Sequence, residues 1–455
     1  MARIVLSCTA VRILLTLFIS QLIGFTAAHA DSPEEAPSTS DQDYSIHGQA
    51  TVINQYHGPF NSPYSGPNSF KSKNEQDTSY TATLFLGYRI SPTTEIYFNP
   101  EAAMGGGISD AYGLGAYTNG EVNRVGSQAF KIREQRLYVV ETIPLGADTE
   151  HVEDSENQIG GVKTVESLQV VIGKFALNDF FDKNAYAQDP RTQFMNWCFM
   201  NNCGWDFAQD PFGYNEGAMV QVKNKNWALR GAMVMQPVVL ESTKMARFPD
   251  AYGANVEGEH SYQVAGLPGT VRILVYQNRS GMRNFNAATQ ALEDPALNSN
   301  AAVIVPNRFS KKRGAGINLE QAINDSVGVF FRASTSDGRN EDWSFTDVDS
   351  AISGGVQVNG KNWGRPDDAF GVAIGENYIS KAHQQYLNAG GTGIMLGDGK
   401  IDYAPEDFAE AYYSYQVAKI KGLAVSPDIQ FFKNPGFNRD RGPVAVYTMR
   451  AHYHF

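Results

Sequence analysis

The 455-residue chain carries 37 Lys and Arg against 48 Asp and Glu, a formal charge of −11, which argues against nucleic acid as a partner. Its 43 glycines, 22 tyrosines and 26 phenylalanines sit in a sequence that is polar on average, with a mean hydropathy of −0.33. No apolar stretch after Phe25 is long enough to cross a bilayer as a helix, so any membrane-spanning segments must be strands.

At the start of the chain, Arg3 and Arg12 precede the apolar run Ile13 to Phe25, and Ala28-His29-Ala30 offers a small-x-small cleavage site. This is the form of a secretory signal peptide over residues 1–30. A transmembrane helix is the rival reading, but the run is short, contains Thr16, Ser20 and Gln21, and meets the cleavage pattern at once. Cleavage would remove two basic and no acidic residues, leaving a net charge of about −13. Asp31 to Asp43 is rich in Asp, Glu, Ser and Pro, which reads as a disordered leader running to residue 45, with a single folded domain over 46–455.

From Ile46 onward, segments of roughly ten residues alternate in polarity and are separated by tight turns or long polar loops, the pattern of a transmembrane β-barrel. In Tyr80 to Ile90, one face carries Tyr80, Ala82, Leu84, Leu86, Tyr88 and Ile90, suited to lipid. The other carries Thr81, Thr83, Phe85, Gly87 and Arg89, suited to a wet lumen. The turn Ser91-Pro92-Thr93-Thr94 leads into a second segment in which Ile96 and Phe98 alternate with Glu95, Tyr97, Asn99 and Glu101. Further short turns are expected at Lys223 to Asn226, Leu267-Pro268-Gly269, Asn324-Asp325 and Lys419 to Gly422, all facing the periplasm. Asn178 to Tyr214, Arg283 to Lys312 and Ser336 to Asp368 are expected as long extracellular loops.

Within the first of these loops, Cys198 and Cys203 are expected to form one local disulfide, since Cys8 would leave with the signal and no histidine lies nearby to complete a zinc site. The final segment alternates Ala445, Tyr447, Met449, Ala451, Tyr453 and Phe455 with Thr448, Arg450, His452 and His454. A terminal Phe on such a strand resembles the C-terminal recognition signal of bacterial outer-membrane barrels. A soluble β-sandwich also alternates; the signal peptide, the asymmetry of loop lengths and this last strand together favour the membrane barrel.

Several blocks then point to a family. They are Gly173-Lys174-Phe175-Ala176-Leu177-Asn178-Asp179-Phe180-Phe181-Asp182, Asp189-Pro190-Arg191 and Trp205-Asp206-Phe207-Ala208. Downstream come Trp363-Gly364-Arg365-Pro366-Asp367-Asp368, Tyr386 to Gly391 with Gly397-Asp398-Gly399, and Ser426 to Gln430 with Asn434 to Asp440. In order and spacing these resemble the carbohydrate-selective porin family of the OprB type, over nearly the whole mature chain. The resemblance implies a monomeric antiparallel barrel of about sixteen strands, inward-folded extracellular loops, and passive uptake of glucose and related small neutral sugars through the outer membrane of a Gram-negative bacterium.

Selecting a sugar in a passive pore calls for aromatic faces that stack on the ring and for charged or amide groups that replace water on its hydroxyls. By alternation the lumen-side candidates are Arg89, Glu95, Tyr97, Glu101, Arg136, Tyr138, Arg230, Glu320, Arg332, Glu410, Tyr412, Gln430 and Arg450. The aromatic-rich stretch Phe180 to Tyr214 is the candidate constriction loop, with Arg191, Trp197 and Trp205 as its sugar-contacting residues. It could equally cap the barrel mouth. The alternatives are generic wall residues, a general or anionic-glycan porin on the same barrel, a barrel serving as an adhesin, and a secreted carbohydrate-binding or carbohydrate-cleaving β-protein. No Gly-x-Ser-x-Gly, His-Glu-x-x-His or Walker motif is present, so no enzyme, cofactor or metal is expected.

Overall fold

The computed structural model describes residues 42–122, 131–294 and 309–455; the expected signal peptide and nearly all of the expected leader lie outside them. The wall strands are β1 (Tyr44–His57), β2 (Glu75–Arg89), β3 (Thr94–Gly105), β4 (Lys131–Pro144), then β7 (Ser167–Phe175), β8 (Asn215–Lys223), β9 (Trp227–Val234) and β10 (Tyr252–Val264). They continue with β11 (Leu267–Ser280), β12 (Ser310–Ala322), β13 (Val327–Ser336), β14 (Ser350–Gly360), β15 (Arg365–Tyr378), β16 (Glu406–Gln416), β17 (Leu423–Lys433) and β18 (Val444–His454). These sixteen strands form one closed antiparallel barrel, each paired with its chain neighbour and β18 paired back to β1. The remaining strands, β5 (Thr149–Val152) and β6 (Gly161–Thr164), make a separate small hairpin.

Closure removes sheet edges, the condition under which a sheet can lie in hydrocarbon with every backbone group paired. At the seam Gln49 faces His454 in register, and Gly48 and Phe455 exchange backbone bonds of 3.1 Å in each direction. A side chain at Gly48 would overlap the Phe455 ring, so the glycine is what lets the terminal aromatic lie against the first strand.

The two-residue alternation places the side chains as the sequence predicts. On β2, Thr81, Thr83 and Phe85 are buried inside while Leu84 and Tyr88 face out; on β18, Thr448, Arg450 and His452 point in and Tyr447 and Met449 out. The outer surface carries an apolar band built from residues such as Ile172, Val220, Leu229, Val256, Ile273, Ile352, Ile374 and Ile429, all exposed. Exposed Tyr44, Tyr88, Trp227, Trp363, Tyr415 and Phe455 ring the short-turn end, and Tyr56, Phe431 and Tyr447 lie toward the long-loop end. Aromatic girdles on either side of an apolar belt are how such a wall meets the two membrane interfaces.

Three sequence expectations need correction. The turn assigned to Leu267-Pro268-Gly269 is Ala265-Gly266, with φ of 51° and 80°, while Pro268 already pairs with Gln263. Two successive positive-φ residues make the tight turn that matches strand twist. The segment 336–368 is not one loop, because it contains β14 and the start of β15. The alternation of β14 is hidden by its small residues: Ser353 donates to the Cys198 carbonyl (3.0 Å), and a Cβ at Gly355 would lie 2.6 Å from the Phe330 ring. Ser353 thus bonds to the loop inside the barrel, and Gly355 makes room for the Phe330 ring that packs on that loop's Phe194 and Phe199. Lastly, β1 begins at Tyr44, two residues ahead of the expected onset at Ile46.

Changing the outward Ile273 to Arg should cost about 2–4 kcal/mol if it sits near the bilayer midplane, read as an earlier urea midpoint in lipid vesicles. The preceding residue, Arg272, already carries a guanidinium on the lumen side. An unchanged midpoint would mean that Ile273 does not face lipid.

Candidate constriction of the channel

The connection between β7 and β8, residues 176–214, turns into the barrel, and the charges of the opposite wall hold its backbone there. Glu410 on β16 accepts the Met195 and Asn196 N–H groups (2.6 and 2.9 Å), and Arg450 on β18 donates to the Pro190 and Gln193 carbonyls (2.6 and 2.7 Å). Arg332 on β13 is 1% exposed; it pairs with Asp182 at 3.2 Å and donates to the carbonyls of Asp182, Ala187 and Phe199. Glu320 accepts the Ala185 N–H (2.6 Å), and Arg230, paired with Glu257 and Glu259, donates to the Phe180 carbonyl (3.0 Å).

The aromatics of this loop form a core inside the barrel. Phe194 lies edge-on to Tyr412 with ring centroids 4.9 Å apart, and Phe199 packs on Phe408 at 4.8 Å. Trp197, in the short helix α1 (Trp197–Met200), stacks against Phe207 at 5.6 Å and Tyr117 at 5.3 Å. Asn196 caps α1 by accepting the Cys198 N–H, and Cys198 is joined by a disulfide to Cys203. Trp205 is fully buried and donates to Asn255 Oδ1 (3.0 Å).

A second loop, between β3 and β4, comes in beside the first. Glu406 accepts its Gly115 and Ala116 N–H groups (3.1 and 2.8 Å), and Gln430 donates to the Thr118 carbonyl (2.8 Å). This brings Glu121 against Arg191, whose Nε lies 3.0 Å from each Glu121 carboxylate oxygen.

Between these loops and the wall lies a cavity of about 510 Å³, within the range usual for small-molecule sites. Of the sequence candidates, Glu101, Arg136, Tyr138, Arg191 and Trp197 line it. Arg136 grips Asp179 through two bonds (2.7 and 2.6 Å), and Glu101 accepts from Thr83 (2.8 Å) and Tyr214 (3.4 Å). Phe85, Phe180, Phe212 and Tyr214 supply aromatic surface.

The other candidates point inward but work elsewhere. Arg230, Glu320, Arg332, Glu410 and Arg450 hold the loop, Trp205 packs within it against Phe181 and Phe207, and Arg89, Glu95 and Tyr97 serve the β5–β6 hairpin, with Tyr97 donating to Glu95 at 2.7 Å. The alternation of wall residues gave no sign of Glu121, Glu156, Asp179, Lys183 or Asp189, all of which line the cavity from connecting segments. Lys183 has no carboxylate within salt-bridge distance among the described residues. Acidic residues in an infolded loop next to an isolated Arg were the available signal.

Burial pushes the Glu121 carboxyl up although Arg191 opposes it, and burial also pushes Glu156 up. For Asp179 burial acts in the same sense, but the Arg136 guanidinium outweighs it and holds the carboxyl below its usual range. As pH falls, Glu121 and Glu156 should therefore lose their charge above the ordinary glutamate value of roughly 4.3, while Asp179 keeps its own. The cavity lining holds the carboxylates of Glu101, Glu121, Glu156, Asp179 and Asp189 against the cations Arg136, Lys183 and Arg191, so planar bilayers should show a cation preference that declines on acidification, starting above that value.

A closed barrel with an apolar belt, aromatic girdles and a polar constriction is a pore of the bacterial outer membrane. Residues 68–455 match the family described as "Carbohydrate-selective porin, OprB family", and the chain belongs to it. Pseudomonas putida OprB shares the fold at 16% identity, with 91% of this chain and 94% of that chain covered and a TM-score of 0.66. The outer membrane channel DcaP of Acinetobacter baumannii aligns at 10% identity, over 91% and 97% of the two chains, with a TM-score of 0.48. No curated protein matches the chain. The protein is an outer-membrane sugar porin. The secreted carbohydrate-binding alternative is set aside.

Replacing Arg332 with Ala should destabilise the infolded loop by about 3–5 kcal/mol, because Asp182 would keep a buried charge without its partner. Single-channel conductance should rise as the loop leaves the lumen. Conductance equal to wild type would show that the loop is held without this pair.

Proposed function

We propose that the channel passes glucose and related small neutral sugars by passive diffusion into the periplasm, as a monomer, without cofactor or catalytic step. The observation that carries this reading is the cavity, which sets hydrogen-bonding groups of both signs beside aromatic faces between the infolded loops and the barrel wall. A pyranose has hydroxyls around its rim and apolar C–H faces, so the carboxylates and guanidinium groups replace its water while rings such as Phe85 and Tyr214 meet the face. Arg136 and Arg191 each have a carboxylate partner, and Lys183, which has none within salt-bridge distance among the described residues, shares the lining with the carboxylates of Glu101, Glu121, Glu156, Asp179 and Asp189, a net negative surround that disfavours an acidic glycan. The enclosing loops keep the passage narrow enough for these contacts to matter.

Liposome swelling is the test, with sugars from mono- to trisaccharide and amino acids of matched size as controls. Monosaccharides should enter faster than the controls, and Arg191→Ala should narrow that difference severalfold. Equal rates for both solute classes would leave only a general pore. Light scattering on the detergent-solubilised protein should give the mass of one chain, and a multiple of it would overturn the monomer.

A further inference from the structure

Among the connections at the short-turn rim, residues 145–166 between β4 and β7 stand apart because they carry the β5–β6 hairpin. Its base is braced by Leu145 N–H to the Glu166 carbonyl (2.8 Å) and Val165 N–H to the Asp148 carbonyl (2.9 Å). Its tip is a tight turn in which Ser155 and Gln158 exchange backbone bonds of 3.0 Å, with Asn157 at φ 57°, a conformation that Asn tolerates.

The hairpin does not hang below the barrel. Ile159 is fully buried against the lumen side of β2, where the missing side chain of Gly87 leaves its seat open: a Cβ there would lie 3.1 Å from Ile159 Cγ1. The Tyr97 hydroxyl accepts the Ile159 N–H (3.3 Å), and Asn99 donates to the Asn157 side chain (2.9 Å). Lys163 reaches both Glu95 oxygens (3.0 and 2.9 Å), Arg89 donates to the Gly160 carbonyl (3.1 Å), and His47 meets Asp154 at 3.1 Å. Three successive wall strands thus hold the tip inside the pore.

We infer that this tip is the periplasmic face of the sugar path and that Glu156 on it sets the charge selectivity of the channel, favouring neutral over anionic sugars. The inference rests on the sugar-porin reading and adds a residue from the opposite rim to it. Glu156 lines the same cavity as Arg191, with its carboxylate 3.9 Å from the Arg191 guanidinium. Arg191 is already matched more closely by Glu121 at 3.0 Å, so the Glu156 charge is left over. Its side chain is 40% exposed in the passage. A carboxylate placed there accepts hydrogen bonds from the hydroxyls of a neutral sugar and repels a sugar acid.

The experiment compares glucose and glucuronate uptake in liposomes, together with the zero-current potential in a KCl gradient, for wild type, Glu156→Gln and a variant in which residues 149–164 are replaced by a two-residue turn. Glu156→Gln should raise the glucuronate-to-glucose ratio about fivefold, the factor that one charge at roughly 4 Å carries in water, and should move the potential toward chloride. The excision should do the same and also raise conductance. An unchanged ratio in both variants overturns the inference; a change in the excision alone assigns the effect to the bulk of the hairpin and overturns the role of Glu156. Wild-type protein that admits no glucose would instead sink the sugar-porin reading itself.

Discussion

The Glu410 carboxylate, set in the barrel wall and holding two backbone N–H groups of a loop from the other side, is the contact on which the channel's shape depends. A loop brought into a lumen exposes peptide groups that water can no longer fully serve, and each one left bare costs roughly 1–3 kcal/mol. The wall answers with charges of the required sign: carboxylates at Glu257, Glu320, Glu406 and Glu410 for N–H groups, guanidinium groups at Arg230, Arg332 and Arg450 for carbonyls. The constriction follows from this pinning, because Arg191, Asp179 and the ring of Trp197 sit where the fixed backbone puts them.

The barrel itself was legible in the sequence, since period-two alternation settles which face of a strand meets lipid and a slip of one residue would invert it. The sixteen side chains proposed for the pore do not face lipid, yet only Glu101, Arg136, Tyr138, Arg191 and Trp197 among them border the cavity. Facing is a local property and contact with the passage is not. Arg450 and Arg136 look alike in their strands; the path of a distant loop leaves one beside the cavity and ties the other to two carbonyls. β14 escaped notice for a related reason: its Ser353 serves the infolded loop and its Gly355 gives way to the Phe330 ring of the neighbouring strand, so neither shows the apolar-polar alternation of a strand.

The hairpin at residues 149–164 shows the same limit from the other rim. Nothing in its own sequence says that it enters the barrel, and the pointer lies on β2, where Gly87 occupies a lumen position that a larger residue would fill. The passage is therefore enclosed from both ends, by two loops descending from the long-loop side and by one tip rising from the other. The charges that surround a solute there come from segments far apart in the chain.

The seam between β1 and β18 has a consequence for how such a molecule comes together. Thr51 and His452, hydrogen-bonded across it at 2.8 Å, are separated by 401 positions, and closing a loop of that length costs about 5 kcal/mol of chain entropy. Neighbouring strands joined by a two-residue turn face a far smaller cost. Pairing should therefore spread from hairpin to hairpin and reach the seam last, leaving a curled sheet with two bare edges until the final strand docks. While it is open, either edge could accept a strand from another chain, so assembly is safest where something else occupies those edges until Phe455 settles against Gly48.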